Sequence, residues 1–162
     1  MSILHPIVAV TGSSGAGTSS VKLAFERIFQ NEGSNPAIIE GDSFHRYDRT
    51  EMEWEVEKSL LQGRTLTHFG PEGNLLQELE ALFSGFATYG TGKQRSYVHT
   101  EEEAERHESP PGTFTDWQPL TPECDLLFYE GLHGGLITEG VNIARHVDLL
   151  IGEVPIINLE WM

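Results

Sequence analysis

Several absences bound the reading of this 162-residue chain. Cysteine is down to one, Cys124, so neither an intrachain disulfide nor a thiolate zinc site can form. Long apolar runs are missing. Nothing approaches the ~20 residues that a membrane-spanning helix needs. Residues 1–6 lack the basic and apolar segments of a secretory signal. The expectation is a cytoplasmic protein with no membrane partner. Basic residues are scarce: ten Lys and Arg stand against twenty-five Asp and Glu, a net charge of −15. A chain this acidic is not expected to bind nucleic acid nonspecifically, because phosphate binding needs a basic surface. The histidines lack the His-Glu-x-x-His spacing of a zinc site, and no Ser sits in a nucleophile-elbow context.

What remains is a length suited to one domain, taken as residues 1–162, with 38% apolar residues to build its core. The run Pro6 to Thr11 is apolar and β-branched, as in a strand buried on both faces of a parallel sheet. A Gly/Ser-rich turn follows. Val21, Ala24, Phe25, Ile28 and Phe29 then recur at helical spacing, and Gly33 stops the helix. Pro36 to Glu40 reads as a second strand, completing a βαβ unit. Thr50 with Glu53 predicts a capping box opening a helix with Met52, Val56 and Leu60 on one face. Asn74 with Gln77 predicts another cap, before a stripe of Leu75, Leu79, Leu82, Phe83 and Phe86. Residues 88–122, rich in Gly, Pro and charge, read as a long polar loop or flap within the domain, and the Glu101–Glu105 run as a solvated surface. Asp125 to Glu130 is a third buried strand, a short helix is predicted over Glu139–Arg145, and Val147 to Gly152 is a fourth strand.

Three constellations carry chemistry. The segment Gly12-Ser13-Ser14-Gly15-Ala16-Gly17-Thr18-Ser19 lies between a buried strand and an amphipathic helix, the context of a phosphate-binding P-loop. Its backbone N–H groups and the helix N-terminus favour an anion, and Ser19 sits where a hydroxyl would ligate Mg²⁺. Thr18 occupies the position usually held by Lys. A glycine turn without a ligand is the plainer alternative. Past the second strand, Asp42 stands where a carboxylate can take a proton from a hydroxyl attacking a γ-phosphate, with His45, Arg46 and Arg49 as nearby cations. Spacing alone allows Asp42 to be a helix cap instead. Glu130 ends an apolar strand, where an acid can hold Mg²⁺ or its water shell in a Walker-B role, or simply solubilise a strand end. His133, three residues on, reads as a supporting hydrogen-bond partner ahead of a ligand.

Taken in order, these segments resemble phosphoribulokinase of the bacterial type. The likeness rests on residues 12–19, on Glu-Gly-Asp-Ser-Phe-His-Arg at 40–46 and on Tyr-Val-His at 97–99. It extends through Phe-Tyr-Glu-Gly-Leu-His-Gly at 128–134 and Val-Pro-Ile-Ile-Asn-Leu-Glu-Trp at 154–161. Thr18, a fault by the general rule, is the family's own residue. The resemblance implies an α/β P-loop NTPase fold of the nucleoside-kinase kind, with a mainly parallel sheet flanked by helices. It implies ATP-dependent phosphorylation of D-ribulose 5-phosphate at O1 in the Calvin cycle. Carried over, Asp42 is the general base. Gly12, Ser13, Ser14, Gly15, Ala16, Gly17, Thr18, Ser19 and Ser20 bind the ATP phosphates. Ser19 and Glu130 serve Mg²⁺, with Glu130 counted among the catalytic residues. His45 and Arg49 contact the sugar phosphate, and Tyr97 and His99 line the same side. Bacterial members are homo-oligomers, so the full-length protein is expected to be one.

The departures from the family pattern have consequences. Family members run on past the Glu-Trp of 160–161 into a basic helix and a cationic lid, so this chain matches an N-terminal portion and its sheet is expected to be incomplete. Glu53 stands where the family helix carries Lys. With few cations to stabilise the transferring phosphoryl group, slow or absent turnover is expected of the chain alone. Two other readings stay open. One is an inactive nucleotide-binding or interaction protein derived from the fold. The other is a kinase of another small hydroxylated metabolite, such as a nucleoside.

Overall fold

The computed structural model describes residues 4–13 and 17–154, without the side chain of Ser19. Ser14, Gly15 and Ala16 of the predicted loop, and the 155–162 end of the matching pattern, lie outside the described residues.

The alternation of side chains along the apolar runs dictates the layering. The strands β1 (Ile7–Gly12), β2 (Pro36–Glu40), β5 (Leu126–Glu130) and β6 (Leu149–Glu153) form one parallel sheet in the order β2-β5-β1-β6. Ile7, Ala9, Ala37, Ile39, Leu127 and Tyr129 face one side. There they meet Leu79, Leu82, Phe83 and Phe86 of helix α3 (Leu76–Tyr89). The intervening Val8, Val10, Ile38, Leu126 and Phe128 face the other side, against helix α1 (Thr18–Glu32). A period-two pattern with both phases apolar can be satisfied only by covering both faces. Phe128 is fully buried, its ring 5.1 Å from that of Phe25 and 5.5 Å from that of Phe29.

The helix stripes are narrower than their sequence patterns suggest. On α1, Phe25 and Phe29 pack inward, whereas Ile28 is half exposed. On helix α2 (Arg49–Leu61), Met52 and Ser59 are the buried residues and Leu60 points to solvent, because Trp54, Leu60 and Leu61 spread the apolar groups around the axis.

The predicted caps also move. Asp48, not Thr50, opens α2: its side chain accepts from Glu51 N at 2.8 Å while the Glu51 carboxylate accepts from Asp48 N at 3.1 Å. Asn74 caps nothing. It is buried and bonds His45, His68 and Gly70. The helix predicted over 139–145 shrinks to one 3₁₀ turn, Ile143–His146, capped by Asn142.

The 88–122 segment contains structure of its own. Strands β3 (Lys93–Gln94) and β4 (Gln118–Pro119) pair antiparallel. Between them helix α4 (Glu101–His107) buries none of its residues, in keeping with the solvated reading of the Glu run. Among the described residues, no helix is long and apolar enough to cross a membrane.

Candidate active site

All four sheet strands run in one direction, so their carboxyl ends share one edge. Glu40 and Glu130 are in register as neighbours on β2 and β5, and Gly12 and Glu153 on β1 and β6. The crevice at such an edge is where open α/β sheets bind ligands. Here it is a cavity of about 610 Å³.

The loop side of the cavity is built for close approach. Gly12 at the end of β1 is tightly enclosed: a Cβ would lie 3.0 Å from the Glu153 carbonyl oxygen and 3.0 Å from Thr18 Cγ2. Gly17 takes φ 105°, a left-handed conformation that glycine reaches without strain, and turns the chain into α1. No acidic residue occupies the first turn of α1 and, among the described residues, no side chain caps it; the Glu153 carboxylate lies near its start. Gly12, Ser13 and Thr18 line the cavity. Ser20 is exposed one turn into the helix.

Lys22 supplies a cation that Thr18 does not. It lies one turn beyond Thr18 on the same face of α1, borders the cavity, and forms an ion pair with Glu40. Burial alone would depress its ammonium. The hydrogen bond and charge of Glu40, with Glu26 and Glu130 behind them, outweigh that and hold it raised. Sequence reasoning passed over Lys22 because it lies outside the loop motif. The i, i+4 spacing from Thr18 was the available signal.

The opposite wall centres on Asp42, in the 3₁₀ turn Gly41–Phe44 that follows β2. The carboxylate caps no helix. Its Oδ1 is 3.2 Å from His45 Nε2 and its Oδ2 3.7 Å from His99 Nε2. The hydrogen bond to His45 lowers the Asp42 carboxyl below the usual carboxylate range; burial opposes this, and the charges of His45, His99 and His68 reinforce it. Burial by itself would lower His45. Hydrogen bonds to Asp42 and to Asn74, together with the Asp42 charge, raise it overall. The second nitrogen of His45, Nδ1, lies 2.9 Å from Asn74 Oδ1, which fixes the ring's orientation.

Arg49, Tyr97 and His99 share this wall, and Tyr97 sets its ring edge-on to His99 at 4.8 Å. His68, which the sequence did not single out, joins them with its ring 5.0 Å from that of His45. Burial and the neighbouring His45 lower its pKa. Arg46, grouped with these cations in the sequence, turns away instead and binds the carbonyls of Glu72 and Asn74. Glu130 at the end of β5 and His133 in the turn after it border the cavity. His133 is buried, with Nε2 3.3 Å from the Phe69 carbonyl oxygen.

The cavity is thus lined by the end of β1 and the start of α1, by the His, Tyr and Arg side chains around Asp42, and by Glu40 and Glu130. That layout suits group transfer between two anionic partners. A family model described as the phosphoribulokinase / uridine kinase family matches residues 7–162. The chain belongs to that family.

Its relatives narrow the likeness. The chromosomal phosphoribulokinase of Cupriavidus necator is 55% identical over 163 residues, covering 100% of this chain and 56% of that protein. The phosphoribulokinase of Nitrobacter vulgaris is 55% identical over 159 residues, covering 98% of this chain and 55% of its own length. The solved phosphoribulokinase from Rhodobacter spheroides superposes with a TM-score of 0.85 at 46% identity, over 98% of this chain and 54% of that one. A possible uridine kinase from Bacillus stearothermophilus, at 13% identity and TM-score 0.59, shares the fold. The P-loop kinase fold expected from the sequence is therefore present. The chain spans about half the length of the curated relatives it matches.

Proposed function

We propose that this chain carries the nucleotide loop and the acceptor-activating half of a phosphoribulokinase. The reaction transfers the γ-phosphoryl group of ATP to the O1 hydroxyl of D-ribulose 5-phosphate, giving ribulose 1,5-bisphosphate and ADP. The observation that carries the reading is the Asp42 carboxylate. It meets the imidazoles of His45 and His99 in a cavity that Gly12, Ser13, Thr18 and Arg49 also line.

The residues divide the work by chemistry. Residues 12–20 and the N-terminus of α1 receive the ATP phosphates through backbone donors. Lys22, drawn toward the same cavity by Glu40, adds positive charge that the loop lacks. Arg49 takes the phosphate of the sugar, with Tyr97 and His99 beside it; His45, whose two nitrogens are engaged by Asp42 and Asn74, adds its charge to that side. Asp42 orients the O1 hydroxyl and accepts its proton. A carboxyl held in the ionised form is a weak base, so the proton moves late, as the P–O bond to ADP breaks and the hydroxyl becomes acidic. The pairing with His45 keeps Asp42 ionised and aimed. Glu130 and Ser19 are the residues that would hold Mg²⁺. Hard oxygen donors on one or two side chains fit that ion, which keeps several waters and binds mainly through substrate phosphates. When bound, Mg²⁺ neutralises charge on the β- and γ-phosphate oxygens.

Acceptor profiling tests the assignment. With ATP and Mg²⁺ present, ribulose 5-phosphate should stimulate ADP release more than uridine or other small alcohols do. Equal or greater stimulation by uridine would move the chain to another acceptor class within the family. The chain's few cations also predict turnover well below the ~1 s⁻¹ at the lower end for kinases.

A further inference from the structure

The turn that carries Asp42 and His45 is short, and its own hydrogen bonds do not hold it in place. His45 N donates back to the Asp42 carbonyl at 3.1 Å. On one side, Leu75 N reaches the Phe44 carbonyl at 2.7 Å, Arg46 N reaches the Gly73 carbonyl at 2.8 Å, and Asn74 meets the His45 ring. The carbonyls of Ser43 and His45 face the other way, toward the segment between β3 and β4. Arg95 takes both. Its Nε donates to the Ser43 carbonyl at 2.8 Å and an Nη donates to the His45 carbonyl at 2.7 Å.

The guanidinium is itself fixed. It lies 3.6 Å from the centroid of the Phe114 ring and 4.7 Å from that of Trp117. Trp117 packs edge-on against Phe44, whose side chain is buried in the core. A planar fork between two rings has little freedom left to lose when it binds two carbonyls, and an ammonium could not reproduce it. The charges of Glu78 and Glu51 offset part of the cost of burying this cation, and both of its hydrogen bonds above go to carbonyls of the turn that bears the proposed base.

We infer that Arg95 is a positioning residue: its fork, clamped by Phe114 and Trp117, fixes the 42–45 turn so that the Asp42 carboxylate and the His45 imidazole meet. The catalytic meaning of this rests on the reading of Asp42 above; the geometry and the readout below do not.

The test follows the His45 imidazole by NMR through a pH titration, in the unmutated chain and in Arg95→Gln and Arg95→Lys. The charged and titratable groups that act on this ring are Asp42, His68, His133 and Arg95, with Asn74 bonded to it and Tyr97 edge-on. Two effects of Arg95 have opposite signs. As a nearby cation it holds the His45 midpoint down, so removing its charge alone would raise that midpoint. As a clamp it keeps Asp42 in place, so losing the fork lowers the midpoint. The midpoint is expected to fall in Arg95→Gln despite the lost cation, and in Arg95→Lys, which keeps the charge. A rise in Arg95→Gln, or an unchanged midpoint in Arg95→Lys, would overturn the inference. If both variants lose the fold by circular dichroism, the Arg95 Nε–H resonance of the unmutated chain decides. A slowly exchanging resonance that shifts in Asp42→Asn supports the clamp; a solvent-averaged or unmoved one overturns it. None of these readouts needs kinase turnover, so failure of the clamp and failure of the functional reading remain distinguishable.

Discussion

Oδ1 of Asp42 and Nε2 of His45 lie 3.2 Å apart, three residues from each other on a turn too short to be an α-helix. The pair links a group proposed to move a proton with one proposed to attract an anion by its charge, and it makes both sensitive to pH in a defined sense.

Asp42 has its carboxyl lowered in the folded chain, so its contribution is present above the ordinary carboxylate range and is lost as pH falls through the lowered value. His45 is raised, so its contribution is present below the ordinary imidazole range and is lost as pH rises through the raised value. The pair therefore stabilises the fold between those two limits. The melting temperature of the unmutated chain should exceed that of Asp42→Asn by more at about pH 6 than at about pH 9. A gap that does not change with pH would remove the pair from the account.

Lys22→Met should weaken nucleotide binding. A charge-assisted bond to a phosphate oxygen is worth about 1.5–3 kcal/mol, so a loss of roughly 10-fold or more is expected. Isothermal titration with ADP and Mg²⁺ measures it. Unchanged affinity would leave Lys22 as a partner of Glu40 and nothing more.

Glu153 ends β6 beside the phosphate loop, where a Cβ on Gly17 would lie 3.5 Å from its Oε2. A carboxylate there occupies the positive field at the start of α1 and competes with phosphate. Glu153→Gln should tighten ADP binding by about 0.3–1 kcal/mol, measurable in the same titration. Weaker binding would contradict this placement.

Phe128→Ala tests the face of the sheet that supports the loop. Phe128 is fully buried between Phe25 and Phe29, so the truncation should cost about 3–5 kcal/mol in urea unfolding. A cost under about 1 kcal/mol would mean that α1 does not close on β5 as described.

Asp48→Ala removes the side-chain half of the capping box that opens α2, the bond from Glu51 N, and should cost about 1 kcal/mol. Thr50→Ala, at the cap position expected from sequence, should cost less.

The strands were legible because both phases of their side-chain alternation are apolar, a pattern that only a covered parallel sheet satisfies. The βαβ order and the glycine turn then place residues 12–17, Asp42 and Glu130 at one sheet edge without reference to any coordinate. The caps were misread because several Thr, Asn, Asp and Glu residues offer the same spacing within three positions. Tertiary packing chooses among them: Asn74 is drawn into the core to orient His45, and Asp48 is left to cap α2. His68 and Arg95 escaped notice for one reason. Each acts across the fold, on His45 and on the Ser43 and His45 carbonyls, over sequence separations that no local motif spans. Arg95 in particular sits in a segment whose composition reads as loop, yet two aromatic rings hold it rigidly.

The most direct test of the central claim compares ribulose 5-phosphate-dependent ADP release by the unmutated chain and by Asp42→Asn, with ADP binding measured alongside. The account predicts release that depends on ribulose 5-phosphate, falls by about 10²–10⁴-fold in Asp42→Asn, and is accompanied by unchanged ADP affinity. Release that Asp42→Asn leaves intact would contradict it.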